Sequence, residues 1–278
     1  MPFSVNDNGT WKTVKKLSVN DGTWKAVKSG WINKDGVWTK FYSNVVTVNV
    51  ATQNNINLRT LYVNQTGDSS SAAASVIFNI NGNIGSSSTA TAAMVTGVWP
   101  AGSEIVVNIA AGVYVVGTGG NGGASTGQSG PGQAGGTAIS LGYNVTIVNN
   151  GVIGGGGGGG GTYWMRIGGG GAGKNVGAAG SLTASQGNWW YGNPGTLTTG
   201  GVGQGFTFLG QRCSTSSTCI PGANGGNLGV NASTLVVPNT PSNGETTRVA
   251  GGAAGKAVAL NNNNVIWSPQ GTTYGSIS

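Results

Sequence analysis

The ionisable side chains of this chain are too few for most catalytic chemistry. The sequence contains no histidine and only six carboxylates. Asp7, Asp21 and Asp35 each stand within two residues of a glycine in turn-like segments, where aspartate is favoured for backbone geometry. Glu104 and Glu245 could form the carboxylate pair that glycosidases require, but nothing around them supports that role. We therefore expect no catalytic residue, no cofactor and no enzymatic activity.

One segment resembles a phosphate-binding loop. GGGGAGKN, at residues 168–175, nearly matches the pattern G-x-x-x-x-G-K-[ST]. Asn175 occupies the position where that pattern needs a hydroxyl group to bind magnesium, and an alternating strand and helix pattern is not visible around it. The sequence therefore predicts no nucleotide site.

Two cysteines, Cys213 and Cys219, are the only thiols of the chain. A structural zinc site needs four ligands, usually cysteine and histidine, so this chain is not expected to hold one. The two thiols could close a small disulfide loop in an oxidising compartment.

Aromatic and arginine side chains are the remaining candidates for function. They lie in three segments between glycine blocks: TYWMRI (162–167), SQGNWWYGNP (185–194) and GQGFTFLGQRCSTSSTCIPG (203–222). Rigid rings mixed with small polar residues are typical of binding surfaces, and Trp, Tyr and Arg supply much of the energy at interfaces. Alternatively, these rings cover the glycine-rich core. The predicted binding residues are Tyr163, Trp164, Arg166, Trp189, Trp190, Tyr191, Phe206, Phe208 and Arg212.

The first 43 residues contain a repeat that predicts strands joined by tight turns. SVNDNGTWKTVKK, SVNDGTWKAVKS and WINKDGVWTKFYS share a Val/Ile-Asn, Asp, Gly and Trp pattern, and Asp-Gly between such segments is a strong hairpin signal. We expect a three-stranded antiparallel meander over 1–43, with strands near 10–19, 23–32 and 37–42. So small a sheet needs a partner to cover its tryptophans. The predicted attachment residues are Trp11, Trp24, Trp31 and Trp38.

Charge is scarce and uneven. Charged residues make up 7% of the chain, the formal net charge is +7, and seven lysines lie within the first 43 residues. A solvated basic face and a weak attraction to an anionic bacterial envelope both fit this distribution. Lysine next to tryptophan also occurs in proteins that bind single-stranded nucleic acid, but docking on another protein is the preferred interpretation. No run of eighteen apolar residues predicts a membrane span.

The next region, residues 44–116, predicts β-strands. VVTVNVATQNNINLRTLYV (45–63) and SVIFNING (75–82) have the composition of strands, as does VVNIAAGVYVV (106–116). The segments SEIVVNIAAGVYVVGTGGNGG and YNVTIVNNGVIGGGGGGGG are similar to each other, because in both a Val/Ile strand leads into glycine. We interpret them as two copies of one unit.

Residues 117–278 contain most of the 55 glycines, eight of them consecutive from Gly154 to Gly161. Glycine loses more conformational entropy on folding than other residues, so a folded chain must gain something from this density. Many glycines stand three apart, which matches the three residues per turn of a left-handed extended helix. Such helices lack internal hydrogen bonds and must bond to their neighbours. We predict an all-β or irregular fold that ends in a sandwich of polyglycine-II helices; a flexible glycine linker is the alternative.

These glycine blocks resemble the tail-tip adhesins of T-even-type bacteriophages. The similarity covers residues 75–278 and includes VNNGVIGGGGGGGG, PAGSEIVVNIAAGVYVVGTGGNGG and GGAAGKAVALNNNNVIW. The resemblance implies a polyglycine sandwich whose distal loops bind an outer-membrane protein or surface glycan. In this chain those loops would be 162–167, 185–194 and 203–221. The hairpin repeats at 1–43 stand where these adhesins have their fibre-docking segment.

The resemblance also implies a location and partners. We expect a virion protein of the tail fibre or tail tip, acting outside the cell, without nucleic acid and without membrane insertion. Its partners would be other tail proteins at the N-terminus and a bacterial receptor at the loops. It would be a homotrimer or a monomer that caps a trimeric fibre. Two alternatives stay open: a structural fibre or decoration protein that binds no host, and an ice-binding protein.

Overall fold

The computed structural model describes residues 4–13, 17–20, 22, 24–27, 29–43, 45–125, 129–164, 166–183, 189–205, 221–238 and 246–278. These residues are mostly strand and extended chain with one short α-helix, so the prediction of an all-β protein is confirmed. They form three parts: N-terminal hairpins, a coil of parallel strands, and a stack of glycine-rich segments.

Each N-terminal repeat forms its own β-hairpin. The strand pairs are β1 (Ser4–Asp7) with β2 (Thr10–Thr13), β3 (Ser18–Asn20) with β4 (Trp24–Ala26), and β5 (Ser29–Lys34) with β6 (Val37–Ser43). Asn8, Gly9, Asp35 and Gly36 have the positive φ angles that tight hairpin turns require. In the described residues the three hairpins are separate two-stranded sheets. The single meander expected from the sequence does not form there, because each Asn/Asp-Gly turn folds its own repeat back on itself.

The second part is a coil in which successive turns of the chain add one strand to each of three parallel sheets. The first sheet contains β7 (Val45–Val50), β10 (Ser75–Ile80), β13 (Glu104–Ile109), β18 (Val145–Asn149) and β28 (Val265–Trp267). The second contains β8 (Gln53–Asn54), β11 (Ile84–Gly85), β14 (Tyr114–Val116), β19 (Val152–Gly154) and β29 (Thr272–Tyr274). The third contains β9 (Ile56–Asn57), β12 (Met94–Val95), β17 (Ile139–Ser140) and β27 (Val258–Ala259).

Alternation along the strands separates the interior of the coil from its surface. In β10, Val76, Phe78 and Ile80 are buried and the residues between them are half-buried. Parallel pairing stacks equivalent residues of neighbouring strands, so their apolar faces form one continuous core. On the outer face, Asn79 donates to Asn49 and accepts from Asn108, both at 3.0 Å.

A short helix, α1 (Leu58–Thr66), follows the first turn of the coil and replaces the last part of the strand predicted over 45–63. Asn57 caps its first turn by accepting a hydrogen bond from the Thr60 amide, and Gly67 ends it with φ of 69°. The helix buries Tyr62 against the coil. Capping and burial therefore outweigh the strand preference of these residues.

Two insertions into the coil build the third part, which we call the glycine stack. Residues 117–136 leave after β14 and return to β17, and residues 155–256 leave after β19 and return to β27. Backbone hydrogen bonds join these segments at every third residue: Gly117, Gly120 and Gly123 donate to Gly154, Gly157 and Gly160, at 3.0, 2.8 and 2.8 Å. The same spacing recurs where Gly132 and Gly135 donate to Ala250 and Ala253.

The run Gly155–Gly160 lies at the centre of the stack. Its amides donate to four neighbouring segments. Gly156 and Gly159 donate to residues 133–136, Gly157 and Gly160 to residues 169–172, and Gly155 and Gly158 to Tyr274 and Val230. A Cβ atom added at any of the six positions would lie 1.9–2.0 Å from a backbone carbonyl oxygen. Glycine is needed here because backbone packs directly against backbone.

The two similar units found in the sequence lie side by side. Strand β13 pairs with β18, and β14 pairs with β19. Gly117 continues the pairing by donating to Gly154, where the glycine segments begin. The interpretation of these segments as two copies of one unit is confirmed.

The division between strand region and glycine region differs from the one drawn at residue 117. Strands β17, β18, β19, β27, β28 and β29 lie beyond that residue, yet they complete the sheets that begin at residue 45. The glycine segments are therefore insertions into a continuous coil.

Candidate binding surface

The glycine stack has two ends of different character. At one end, Lys174 donates from Nζ to Asn54 Oδ1 of the coil at 2.8 Å, and Asn175 bonds to the Ser86 carbonyl. At the other end, Gly123 bonds to Gly160. We call this second end the tip. The described chain reaches and leaves it at residues 124–125 and 129–130, 162–164 and 166–167, 181–183 and 189–191, 204–205 and 221–222, and 235–238 and 246–249.

Short strands fix where these reversals begin. One sheet contains β15 (Ala124–Ser125), β22 (Ser181–Thr183) and β23 (Trp189–Tyr191); a second contains β16 (Ser129–Gly130), β20 (Thr162–Tyr163), β21 (Arg166–Ile167) and β24 (Gln204–Gly205); a third contains β25 (Leu235–Pro238) and β26 (Thr246–Val249). The described parts of all three sequence-predicted segments therefore lie at the tip.

The turn between β20 and β21 presents two aromatic rings. Tyr163 and Trp164 pack edge to face, with ring centroids 6.5 Å apart. Tyr163 is half-buried against a small apolar cluster that includes Val237 and Val249. Trp164 is 45% exposed and has a φ angle of 50°, which is unusual for a bulky residue. The cluster holds Tyr163, and Tyr163 in turn supports an exposed Trp164.

Arg166 lies beside this aromatic pair on β21. Its backbone pairs with Tyr163 on one side and with Gly205 on the other. Its Nε atom is buried and has no hydrogen-bond partner. A buried donor without a partner is destabilising.

The second predicted segment forms β23, which pairs with β22 so that Trp190 lies opposite Leu182. The side chain of Tyr191 is 50% exposed. For Trp189 and Trp190 the structure describes the backbone alone, which places both at the tip.

The third predicted segment falls mainly outside the described residues. Phe206, Phe208, Arg212, Cys213 and Cys219 all lie within 206–220, so their contacts and the disulfide stay predictions. The described chain enters this segment at Gly205, directly opposite Arg166.

Two further reversals at the tip were not among the sequence-predicted sites. One lies between β15 and β16, and the other joins β25 to β26. On β26, Arg248 is exposed and pairs with Val236, which is 41% exposed. Both have the sequence signal that marked the three predicted segments: a short stretch of unlike composition stands between two glycine blocks.

The structure assigns ordinary roles to the groups considered for catalysis. Lys174, the lysine of the phosphate-loop-like segment, binds Gln53 and Asn54 of the coil, and burial lowers the pKa of its amine. Glu104 accepts a hydrogen bond from Ser75 at 3.1 Å, and Glu245 lies outside the described residues. In the described part of the chain no three His, Cys, Asp or Glu side chains are grouped to hold a metal ion.

The predicted attachment residues lie on the hairpins. Trp38 is 65% and Trp31 50% exposed. Trp11 and Trp24 lie on β2 and β4, where the structure describes their backbone only. No helix formed by the described residues is long and apolar enough to cross a membrane.

The chain is similar to known proteins in its sequence and in its fold. The family model for phage tail fibre adhesin Gp38 matches residues 44–278. The chain belongs to the Gp38 family of phage tail fibre adhesins. It is a receptor-binding protein of the phage tail that takes part in host recognition.

A solved structure agrees with the family assignment. The adhesin is similar to a chain in the crystal structure of the gp37-gp38 adhesin tip complex of the bacteriophage S16 long tail fibre, with 25% sequence identity and a TM-score of 0.58. The similarity covers 85% of this adhesin and 83% of the other chain. A comparison with curated protein sequences gives no match. The family match begins at residue 44, immediately after the hairpins.

Proposed function

We propose that this adhesin binds its bacterial receptor through the aromatic loops of the tip, non-covalently and without a cofactor. The observation that carries the proposal is the exposed Trp164, which Tyr163 supports and Arg166 flanks at the end of the hydrogen-bonded glycine stack. Trp, Tyr and Arg are the residue types that contribute most to binding energy. The receptor is an outer-membrane protein or a surface glycan of the host.

The glycine stack is the rigid support of these loops, and we propose that its segments are polyglycine-II helices. Hydrogen bonds at every third residue support this, because a three-residue repeat is the period of that helix. Because all the central amides are hydrogen-bonded to neighbouring segments, the stack restricts the motion of the loops at the tip. A rigid support lowers the entropy lost when loops bind, so more of the contact energy appears as affinity.

The N-terminal hairpins attach the adhesin to another protein of the tail fibre. Exposed tryptophans on Trp-Lys repeats support this role. The related chain of bacteriophage S16 is described in a complex of gp37 with gp38. The hairpins form one functional unit, residues 1–43, and the coil and glycine stack form the unit that reaches the host outside the cell.

Adsorption of the purified, fluorescently labelled adhesin to cells of the phage's host tests the tip. We expect Trp164→Ala combined with Tyr191→Ala to weaken binding about 30-fold or more, as for two interface residues of high energy. The matched control is Ile266→Ala with Val98→Ala, which removes two side chains that are 65% and 78% exposed on the coil and should leave binding unchanged.

The outcomes separate the candidate roles. Undiminished adsorption of the Trp164/Tyr191 variant would favour a structural fibre protein and contradict binding through these loops. Cells treated with protease and cells with truncated surface glycans then identify the receptor class, because only one treatment should abolish adsorption of the unchanged adhesin.

A further inference from the structure

The run of eight glycines leads into a buried threonine. Thr162 directly follows Gly161, and its side chain is fully buried. Its hydroxyl oxygen accepts a hydrogen bond from the Gly168 amide at 2.9 Å, and the hydroxyl donates its proton to the Gly123 carbonyl. Both hydrogen-bonding functions of this hydroxyl are therefore used at the place where the glycine stack ends and the tip begins.

The two partners of this hydroxyl belong to different passages of the chain into the tip. Gly123 directly precedes β15, where the chain enters the tip, and Gly168 directly follows β21, where it leaves. Gly180, which directly precedes β22, donates its amide to the Gly168 carbonyl at 2.9 Å. A Cβ atom on Gly180 would lie 2.9 Å from the Thr162 hydroxyl oxygen. One buried hydroxyl therefore lies where three separate passages into the tip meet.

The same hydroxyl closes the turn that presents Trp164. This turn begins at Thr162 on β20 and ends before Gly168, so the hydrogen bond between these two residues joins its ends. Between them lies Trp164, which is 45% exposed. The hydroxyl thus fixes the base of the turn without itself reaching the surface.

A hydroxyl suits this place because it is both a donor and an acceptor. Where the segments of the stack diverge into loops, backbone groups can no longer pair at every third residue, and a buried group without a partner is destabilising. Thr162 supplies a donor to the Gly123 carbonyl and an acceptor to the Gly168 amide from one small side chain. A valine of the same shape would leave both groups without that partner.

We propose that Thr162 is a positioning residue for receptor binding, whose hydroxyl holds the turn of Trp164 in register with the neighbouring loops of the tip. The inference rests on the proposed binding through the tip. Because Thr162 is fully buried, it acts through Trp164 and not by touching the receptor. Loops that are held in their binding conformation lose less entropy when they bind. Removal of the hydroxyl should therefore lower affinity although every exposed side chain is kept.

Substitution of the hydroxyl by a methyl group is the direct test. We expect Thr162→Val to weaken adsorption of the labelled adhesin to host cells about fivefold or more, because the loops become less ordered before binding. Thr162→Ser, which keeps the hydroxyl, should restore most of the adsorption. Full adsorption by the valine variant, or a serine variant that binds no better than the valine variant, would overturn the proposal.

Thr96 offers a matched control on the coil. It directly follows β12 and is also fully buried. Its hydroxyl oxygen accepts the Gly142 amide at 2.8 Å, and the hydroxyl donates to the Gly97 carbonyl at 3.5 Å. Thr96→Val should lower the urea midpoint of unfolding, as Thr162→Val does, and should leave adsorption unchanged. Equal losses of adsorption in the two variants would reflect general destabilisation and would overturn the positioning role.

Hydrogen exchange gives a second measurement. In Thr162→Val the amides of residues 163, 164 and 166–168 should exchange about tenfold faster than in the original adhesin, whereas Gly155–Gly158 should keep their protection. If circular dichroism shows that the valine variant is unfolded, Thr162→Ala, which removes the hydroxyl and leaves more space, takes its place. Unfolding of both variants would make Thr162 a requirement of the whole stack and would overturn the proposal.

The variant that combines Trp164→Ala with Tyr191→Ala separates this inference from the proposed function. If that variant adsorbs as well as the original adhesin, binding through the tip fails and the inference fails with it. If it loses adsorption and Thr162→Val retains adsorption, only the positioning role of Thr162 fails.

Discussion

Gly157 lies so close to Gly226 that a Cβ atom on Gly157 would stand 1.9 Å from the Gly226 carbonyl oxygen. Gly226 at the same time donates its own amide to the carbonyl of Gly158 at 2.7 Å. The two segments therefore approach through backbone atoms alone, and the separation leaves no room for a side chain.

Substituting Gly157 by alanine should destabilise the adhesin strongly. The added methyl group would overlap a backbone carbonyl that cannot move without breaking bonds on both sides, so we expect a loss of about 3 kcal/mol or more in the free energy of unfolding. Urea denaturation measures it. The matched control is Gly154→Ala in the same run, whose Cβ would meet the flexible Leu228 side chain at 3.1 Å. Equal losses in the two variants would contradict backbone-to-backbone packing.

Amide hydrogen exchange should be slow across Gly155–Gly160. All six amides are buried and donate to neighbouring segments. None of the six residues belongs to a helix or a β-strand, since β19 ends at Gly154. Exchange then requires opening of the stack, so protection should approach that of the coil strands. Exchange at the rate of an unstructured peptide would show that the glycine stack is not formed in solution.

Replacing Trp164 by asparagine should separate binding from stability. The φ angle of 50° at this position is strained for tryptophan and tolerated by asparagine. The relieved strain should offset the lost contact with Tyr163, which leaves the unfolding free energy within about 1 kcal/mol of the original. Adsorption to host cells should still fall about tenfold or more. Thermal denaturation and adsorption, measured on the same preparation, check both parts; a stable variant with full adsorption would exclude Trp164 from the binding surface.

The coil should become less stable at alkaline pH because the phenol of Tyr62 is buried and hydrogen-bonded. Burial raises the pKa of its phenol, and the hydrogen bond and charge of Asp68 raise it further. Folded protein therefore keeps the proton that unfolded chain releases near pH 10, so stability falls as pH rises above about 10. Tyr62→Phe should cost about 1 kcal/mol at pH 8, where the hydrogen bond is lost. The difference in unfolding free energy between the variant and the unchanged protein should be smaller at pH 10.5. An equal difference at both pH values would contradict the prediction.

The local features of this fold could be read from the sequence. Asn/Asp-Gly turns predicted folding back within residues 1–43, and alternation in SVIFNI predicted a strand with one buried face. The scarcity of titratable groups removed most catalytic candidates. Glycines three apart, such as Gly117 and Gly120, predicted the period of the hydrogen bonds. Each of these signals acts between neighbours in the chain.

Tertiary structure decided which segments meet. Strand β28 pairs with β18 across about 120 intervening residues, and a glycine segment has no side chains whose pattern could select such a neighbour. The composition of the stretches at 124–130 and 235–249 was visible in the sequence, but their place at the tip was not, because loops are brought to one tip only by the alternating directions of the glycine segments. Glycine composition set how closely backbones could pack; coil pairing and loop lengths set which backbones lie together.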